Sequence, residues 1–311
     1  MTRVGAIDCG TNSIRLLVAD VTGEGPDADL RDVHREMRIV RLGQGVDATG
    51  EFAPEALERT RAALRDYAVA IRRKGAERVR MVATSAARDA GNRDEFFGMV
   101  NELLGIDAEI VTGDEEARLS FLGAVGDLDP EDGPFLVTDV GGGSTELVVG
   151  KSGVDAAFSA DIGSVRITER CLPGDPPSAD EVAEARSLAG RILADAFAAV
   201  PVDGVRTWVG VAGTITTLCA VALRLPEYDA AAVHLSRLSA GDLHRVTAEL
   251  LAMSRAERGL HGAIHPGRID VIGGGALVVD VLAAELKERA GVSELVVSEH
   301  DILDGIARSI A

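Results

Sequence analysis

One short motif occurs twice in this chain, and its residue types suit the binding of phosphate and metal. Residues 8–18 read DCGTNSIRLLV and residues 139–149 read DVGGGSTELVV, so that matched positions lie 131 apart. In both copies an apolar run leads into Asp, Gly and Ser and a second apolar run follows, which predicts two β-hairpins. Glycine allows the backbone to approach a phosphate closely, and successive N–H groups in such a turn form an anion-binding concavity.

Carboxylates accompany the small residues of both turns. Asp8, Asp139 and Glu146 are negatively charged and do not bind phosphate directly, so they predict a divalent cation that bridges carboxylate and phosphate. Two such turns that face one another would form a phosphate–metal cleft between two related domains. The motif therefore predicts a protein that handles phosphate.

Composition and charge narrow the class of protein. A chain of 311 residues, 46% hydrophobic, is long enough for two domains that each bury a core. The net charge of −18 argues against nucleic acid or an anionic membrane as a partner. No apolar run approaches the ~18 residues of a membrane span, and the first strand directly after Met1 leaves no room for a signal peptide. Three cysteines without metal-like spacing predict free thiols in the cytoplasm.

The hydrophobic periodicity changes in an order that repeats in the second half. In the first half, strands are predicted at 3–8, 13–21, 29–41, 79–83 and 107–111, with helices at 54–74, near 92–104 and from about 114. In the second, strands are predicted at 135–140, 144–150, 154–161 and 206–212, with a long helix near 178–199. Residues 82–85 (VATS) also match 211–214 (VAGT), 129 positions apart.

This repeat predicts an α/β protein of two duplicated actin/ribonuclease H-like domains with a cleft between them, the plan of the sugar kinase, actin and heat-shock ATPase superfamily. The Asp- and Pro-rich residues 126–133 are the expected linker. The first domain is expected at 1–126, with a final helix at about 300–311 packed back on it. The second is expected at 127–299.

Four motifs in order give a narrower resemblance. DCGTNS at 8–13, ATSAAR at 83–88, GDEEAR at 113–118 and DVGGGSTE at 139–146 together resemble the exopolyphosphatase and guanosine pentaphosphate phosphohydrolase family, over nearly the whole chain. The resemblance implies an exopolyphosphatase that releases terminal phosphate from inorganic polyphosphate with Mg²⁺ or Mn²⁺, and it implies a homodimer. Guanosine pentaphosphate is the alternative substrate.

The glycine turn at 141–146 excludes several other phosphate motifs. It lacks the third Gly and the following helix of a dinucleotide fingerprint, it has no Walker Lys, and Glu146 stands where a nucleophile elbow needs Gly. A plain tight hairpin is the structural alternative, for which one Gly would suffice. By resemblance, Asp139 and Glu146 hold the metal, with Asp8 as an additional candidate. The expected phosphate-binding residues are Asn12, Ser13, Arg88, Gly142, Gly143, Ser144, Thr145, Gly213 and Thr214.

Glu115 and Glu116 lie in the first turn of a predicted helix, where a carboxylate commonly contributes ~0.3–1 kcal/mol by opposing the helix dipole. The resemblance implies that Glu116 is the catalytic carboxylate, which orients the attacking water and accepts its proton. Glu115 is then a solvated or capping residue. Arg88 is expected in a loop after a strand end, as a phosphate clamp, with Arg93 and Arg166 as weaker candidates.

Other features stay open at this point. Gly273–Gly275 is consistent with a nucleotide contact or with close helix–sheet packing. His261 and His265 are spaced like a metal pair on a helix, but Pro266 follows and no third ligand is evident, which favours solvated or capping roles. Cys9 has no identifiable His partner and is expected to be a small packed residue.

Three classes of function fit the motifs: a phosphoanhydride hydrolase, an ATP-binding small-molecule kinase of the same superfamily, and a non-catalytic nucleotide-gated module. No acceptor site with an aspartate base is evident for a kinase, and the intact carboxylates oppose the non-catalytic module. The chain ends at Ala311, without the further helical domain of long exopolyphosphatases, and residues 298–305 (SEHDILDG) are acidic. Few contacts to a long polyanion are therefore expected, which predicts a preference for short chains.

Overall fold

The computed structural model describes residues 1–23 and 28–310. The chain divides into two compact units, Met1–Gly126 with His300–Ala311, and Asp127–Glu299. Each unit contains a mixed β-sheet with helices packed against it. Among the described residues, none of the helices combines the length and the hydrophobicity required to cross a bilayer.

The strands are, in chain order, β1 (Thr2–Cys9), β2 (Ser13–Thr22), β3 (Asp29–Ile39), β4 (Arg78–Ala83), β5 (Ala108–Ile110), β6 (Phe135–Val140), β7 (Thr145–Gly150), β8 (Val154–Ala160), β9 (Thr207–Val211), β10 (Arg237–Ser239) and β11 (Glu294–Val297). The helices are α1 (Val46–Thr49), α2 (Pro54–Lys74), α3 (Ser85–Asp89), α4 (Arg93–Leu104), α5 (Gly113–Ala124), α6 (Ser164–Cys171), α7 (Ala179–Ala199), α8 (Ala212–Ala222), α9 (Ala230–Val233), α10 (Ala240–Ala252), α11 (Arg255–Arg258), α12 (Ile272–Ala290) and α13 (Ile302–Ser309).

The two sheets share one topology. The first has the strand order β3-β2-β1-β4-β5 and the second β10-β11-β9-β6-β7-β8. In each, three consecutive antiparallel strands are followed by a strand parallel to the first. Asp8 pairs with Val82 in one sheet and Asp139 with Val211 in the other. The register thus reproduces the sequence repeat, and the α/β fold is the actin-like two-domain fold.

Side-chain alternation along β1 divides the core of the first unit between the two faces of its sheet. Ile7 and Cys9 face the cluster that contains residues of α2 and α4. Val4 and Ala6 face the opposite cluster, which contains residues of α5 and α13. Asp8 has the same parity as Val4 and Ala6, so the alternation directs it toward α5 and α13.

Local sequence signals fix most element boundaries. Helix α2 begins with Pro54 at its first position and ends before Gly75, whose φ of 73° is left-handed, so the predicted helix at 54–74 is confirmed. Most predicted ends shift by one or two residues, and two differences lie near the predicted site residues. The expected loop around Arg88 is the short helix α3, and β9 stops at Val211 because Ala212, with a φ of 68°, turns the chain into α8.

Candidate active site

The first hairpin turn is held by backbone hydrogen bonds. The Gly10 N–H donates to the Ser13 carbonyl at 3.0 Å. The Asn12 carbonyl accepts from the N–H groups of Val40 and Arg41, at 3.0 and 2.8 Å, so the segment after β3 braces the turn. Asn12 and Ser13, both predicted to bind phosphate, are half-buried here. The phosphate contact itself stays a prediction.

Asp8 lies at the end of β1 and pairs with Arg15 on β2. It is only 5% exposed, and Arg15 lies directly opposite in the antiparallel register. Arg15 donates from Nε and Nη2 to Asp8 Oδ2, at 3.0 and 2.8 Å. Among the described residues, Asp8 Oδ1 is buried with no hydrogen-bond partner. Burial raises the pKa of the Asp8 carboxyl, and the Arg15 guanidinium opposes that rise.

A buried hydroxyl pair joins the first turn to the end of β4. Thr11 Oγ1 and Ser85 Oγ lie 2.9 Å apart, both buried. Ser85 begins α3, which places Arg88 one turn later. Arg88 Nη1 donates to Glu116 Oε2 at 2.6 Å and to the Val111 carbonyl at 3.0 Å. In this structure Arg88, the predicted phosphate clamp, is hydrogen-bonded to Glu116, the predicted base.

Glu116 is held in a buried position by the start of α5. The Thr112 side chain caps this helix by accepting from the Glu115 N–H at 3.2 Å, which places Glu116 in the first turn. Glu116 is 6% exposed. Glu115 is half-exposed, with its carboxylate 3.6 Å from Arg80 Nη2, which matches the peripheral role predicted for it.

The surroundings of Glu116 hold the pKa of its carboxyl group near neutral pH. Burial raises the pKa of Glu116 to about 7, while the Arg88 guanidinium lowers it, the Asp8 charge adds to the rise and the Thr84 hydroxyl opposes it. A carboxylate with a pKa near the working pH is suited to act as a general base. The arrangement can therefore accept a proton from a water molecule.

The second hairpin places two carboxylates directly opposite each other. Asp139 on β6 pairs in register with Glu146 on β7, and they are 6% and 1% exposed. Glu146 Oε1 accepts from Ser159 Oγ at 2.8 Å. The equivalent positions of the first sheet hold the oppositely charged pair Asp8 and Arg15. Like charges directly opposite on adjacent strands are destabilising unless a cation lies between them.

The glycine turn between β6 and β7 packs against the start of α6. The Gly142 carbonyl accepts from the N–H groups of Val165 and Arg166, at 2.8 and 3.1 Å. A Cβ at Gly163 would lie 2.5 Å from the Gly142 carbonyl carbon and oxygen, so a larger residue there would displace the turn. Gly143 and Ser144 are buried. Several backbone groups of this turn thus have structural partners that hold its conformation.

Three other predicted phosphate-binding residues have structural contacts. The buried Thr145 hydroxyl donates to the Ile162 carbonyl at 2.6 Å and so supports the turn, while its contact with phosphate stays a prediction. Thr214 is 5% exposed. At Gly213, a Cβ would lie 1.9 Å from Arg268 Nη2, so the Arg268 guanidinium lies against Gly213 in the first turn of α8. This arginine was not predicted from the sequence.

The remaining open features have structural explanations. Gly274 lies against α6, where a Cβ would be 2.3 Å from Thr168 Oγ1, so the packing that this glycine permits is between two helices, while the nucleotide contact stays untested. His265 caps Pro266–Arg268 by accepting from the Gly267 N–H, which confirms a capping role. Cys9 is buried, as predicted for a packed residue.

The acidic segment at 298–305 is not the exposed, repulsive surface that its sequence predicts. Asp301 and Asp304 are 3% and 2% exposed and form a capping box at the start of α13. Asp301 forms an ion pair with Arg15, and Asp304 Oδ2 accepts from Arg35 Nη1 at 3.2 Å. The expectation was wrong because the apolar residues that follow bury these carboxylates beside arginines.

Comparison with known proteins places these motifs in a family. The model of the Ppx/GppA phosphatase family matches residues 17–310. Exopolyphosphatase 2 of Mycobacterium tuberculosis is 60% identical over 316 residues, which cover 100% of this chain and 99% of that protein.

Two crystal structures extend the comparison to the fold. An exopolyphosphatase from Cytophaga hutchinsonii superposes with a TM-score of 0.88 at 25% identity, covering 98% of this chain and 96% of its own. The Ppx/GppA enzyme of Aquifex aeolicus superposes with a TM-score of 0.80 at 32% identity, covering 99% of both chains.

Proposed function

We propose that this chain, which belongs to the Ppx/GppA phosphatase family, is an exopolyphosphatase that releases terminal phosphate from inorganic polyphosphate. The observation that carries the proposal is the buried Glu116, whose pKa of about 7 suits a general base. The relative at 60% identity over the whole chain supports polyphosphate as the substrate. Hydrolysis of a phosphoanhydride by water requires a group that orients the water and takes its proton.

Glu116 would orient the attacking water and accept its proton. Arg88 would compensate the negative charge of the Glu116 carboxylate. Arg88 Nη1 occupies Oε2 of Glu116, so the other carboxylate oxygen, Oε1, is the one that we assign to the water. The guanidinium also compensates the carboxylate charge while the proton is away. We assign phosphate binding to Asn12, Ser13, Gly142, Gly143 and Ser144, with Arg88, Gly213 and Thr214 as further contacts and Thr145 as a support of the turn.

Family membership implies a dependence on a divalent metal in general. The donors present fit such an ion, because Asp139 and Glu146 are buried, opposite and like-charged, and carboxylate oxygens are the ligands that Mg²⁺ and Mn²⁺ prefer. Asp8, whose Oδ1 has no partner among the described residues, is kept as an additional candidate ligand. We propose Mg²⁺ or Mn²⁺, which when bound would neutralise phosphoryl charge. Asp139 and Glu146 would hold it.

A comparison of three substrates tests the proposed function. Phosphate release is measured on inorganic polyphosphate, guanosine pentaphosphate and ATP, each with and without Mg²⁺. We expect release from polyphosphate with the highest kcat/KM. Preferential release from guanosine pentaphosphate would make the chain a 5′-phosphohydrolase. Conversion of ATP to ADP without release of inorganic phosphate, and only when a small-molecule acceptor is added, would indicate a kinase. Inactivity on all three substrates would indicate a non-catalytic module.

The rate is expected to rise with pH through about 7, because Glu116 accepts a proton only when ionised and its pKa is about 7. Replacing Arg88 by Gln removes a cation that lowers this pKa, so the acidic limb of the profile should move to higher pH. The measurement is kcat/KM against pH for both proteins. An acidic limb near pH 4.5, the ordinary pKa of a Glu, would contradict the assignment.

Cleavage of long chains is expected to be distributive, with kcat/KM highest for short oligophosphates. Processivity requires contacts that hold the polyanion between cycles, and a protein of net charge −18 offers few. Repulsion is screened beyond ~8 Å at physiological ionic strength, so the effect of length on affinity should be moderate. A limited digest resolved on a gel should show a ladder of intermediates. Disappearance of long chains without intermediates would refute the prediction.

We also propose a cytoplasmic location and a homodimer, with neither nucleic acid nor membrane as a partner. The three cysteines, Cys9, Cys171 and Cys219, are buried free thiols, which suits a reducing compartment. The negative net charge is unfavourable for binding nucleic acid or anionic lipid.

A further inference from the structure

Helix α13 contacts both α5, which carries Glu116, and β1, which carries Asp8. Its Gly305 lies against α5, where a Cβ would be 2.0 Å from the Leu119 carbonyl oxygen. On the other side of this contact, a Cβ at Gly123 of α5 would lie 1.8 Å from the Asp301 carbonyl oxygen. The two helices can pack this closely only because both positions are glycine. Helix α5 also carries Glu116, so α13 packs closely against the helix of the proposed base.

Asp301, which precedes α13, is linked to Asp8 through the guanidinium of Arg15. Asp301 Oδ1 accepts from the Leu303 N–H at 3.0 Å and thereby caps the helix. Its Oδ2 accepts from Arg15 Nη1. The remaining donors of Arg15 that face the sheet, Nε and Nη2, both hold Asp8 Oδ2. One guanidinium is thus fixed between two buried carboxylates, of which one belongs to the C-terminal segment.

The hydrogen bonds from Arg15 to Oδ2 fix the orientation of the Asp8 carboxylate and leave its other oxygen, Oδ1, without a partner among the described residues. Oδ2 takes two hydrogen bonds from Arg15, while Oδ1 is buried and, among the described residues, has no partner. An unsatisfied buried polar atom is destabilising, and more so if charged, so natural proteins rarely retain one without a use. The Arg15 bonds prevent Asp8 from rotating to relieve it. Oδ1 therefore keeps hydrogen-bonding capacity that the described residues do not use.

We propose that Asp301 is a positioning residue for the hydrolytic reaction, which acts through Arg15 to hold Asp8 Oδ1 toward the bound phosphate, its cation or the attacking water. The inference rests on the proposed exopolyphosphatase function. It assigns the C-terminal segment a role in catalysis, although Asp301 itself does not touch the substrate.

A purely structural cap is the competing explanation, and one substitution separates the two. In Asp301→Asn the side-chain oxygen can still cap α13, since Asn and Asp are equally good caps. The amide has no charge, and its N–H₂ group faces the Arg15 guanidinium. The variant should therefore fold normally but lose the ion pair between residue 301 and Arg15. If Asp301→Asn does not fold, Asp301→Ser supplies a second neutral cap.

The test is a double-mutant cycle on polyphosphate with Asp8→Asn, Asp301→Asn and the pair together. Loss of a supporting residue around a reacting group typically costs about 10–100-fold in activity, and we expect that loss in kcat for Asp301→Asn, with KM nearly unchanged. We expect the double variant to be no slower than Asp8→Asn alone, because Asp301 acts only through Asp8.

Asp304→Asn is the matched control. It removes a buried carboxylate from the same capping box, but Asp304 binds Arg35 and not Arg15. It should lower the melting temperature at least as much as Asp301→Asn and leave kcat unchanged. Wild-type kcat in Asp301→Asn, or losses that multiply in the double variant, would overturn the positioning role. No phosphate release by the wild type would instead overturn the proposed function.

Discussion

Replacing Glu116 by Gln is expected to lower kcat on polyphosphate by about 10²–10⁴-fold, the usual cost of losing a general base. The amide has the size of the carboxylate and can still accept from Arg88 through its oxygen, so the fold should be preserved. It has no basicity, so it cannot take the proton of the attacking water. KM should change little, because Glu116 is not assigned to phosphate binding.

Glu115→Gln is the control for this substitution. The two residues are adjacent in α5 and carry the same charge, but Glu115 is half-exposed and lies near Arg80, away from the buried position of Glu116. Its variant should retain wild-type kcat. A folded Glu116→Gln protein that turns over at the wild-type rate would remove Glu116 from the mechanism.

Removal of the metal is expected to abolish activity, and Mg²⁺ should restore it. Asp139 and Glu146 are buried directly opposite each other, and a divalent cation relieves their repulsion as well as the charge of the phosphate. The cation should therefore also stabilise the folded protein without substrate. At a concentration of 100 times its Kd, a ligand adds about 2.7 kcal/mol to the free energy of unfolding.

The variants Asp139→Asn and Glu146→Gln should lose both the activity and the Mg²⁺-dependent rise in melting temperature. Asp155→Asn, which changes an exposed carboxylate on the neighbouring strand β8, should retain both. Full activity after treatment with EDTA would sink the metal assignment. So would an undiminished thermal shift in both variants.

The sequence was sufficient where the signal is local. Helix α2 was predicted at its observed limits from the helical spacing of its apolar residues, and Pro54 and Gly75 mark those limits in the structure. The strands around both turns match the prediction to within one residue at each end. The repeat of the turn motif predicted the shared topology, since the spacing of matched Asp residues reflects the same strand order in both sheets.

The contacts of the site depend on long-range packing that local patterns do not encode. The role of Arg15 was not predicted, although the register of the hairpin places it opposite Asp8. Its other partner, Asp301, is 286 positions away in the sequence. Asp301 and Asp304 resemble a solvated acidic run, yet the spacing of two Asp residues around an apolar pair is a capping signal. Arg268 gave no sequence signal, because its proximity to Gly213 depends on how α8 packs against a distant loop.

The central claim is that this chain removes phosphate from the end of polyphosphate by hydrolysis. The most direct test follows purified protein with polyphosphate and Mg²⁺ by ³¹P NMR, which resolves orthophosphate, terminal phosphates and internal phosphates. Exopolyphosphatase activity predicts that orthophosphate rises from the first time point and internal phosphate falls, while the number of chain ends stays constant. A rise in terminal phosphates before orthophosphate appears, or an unchanged spectrum, would contradict the account.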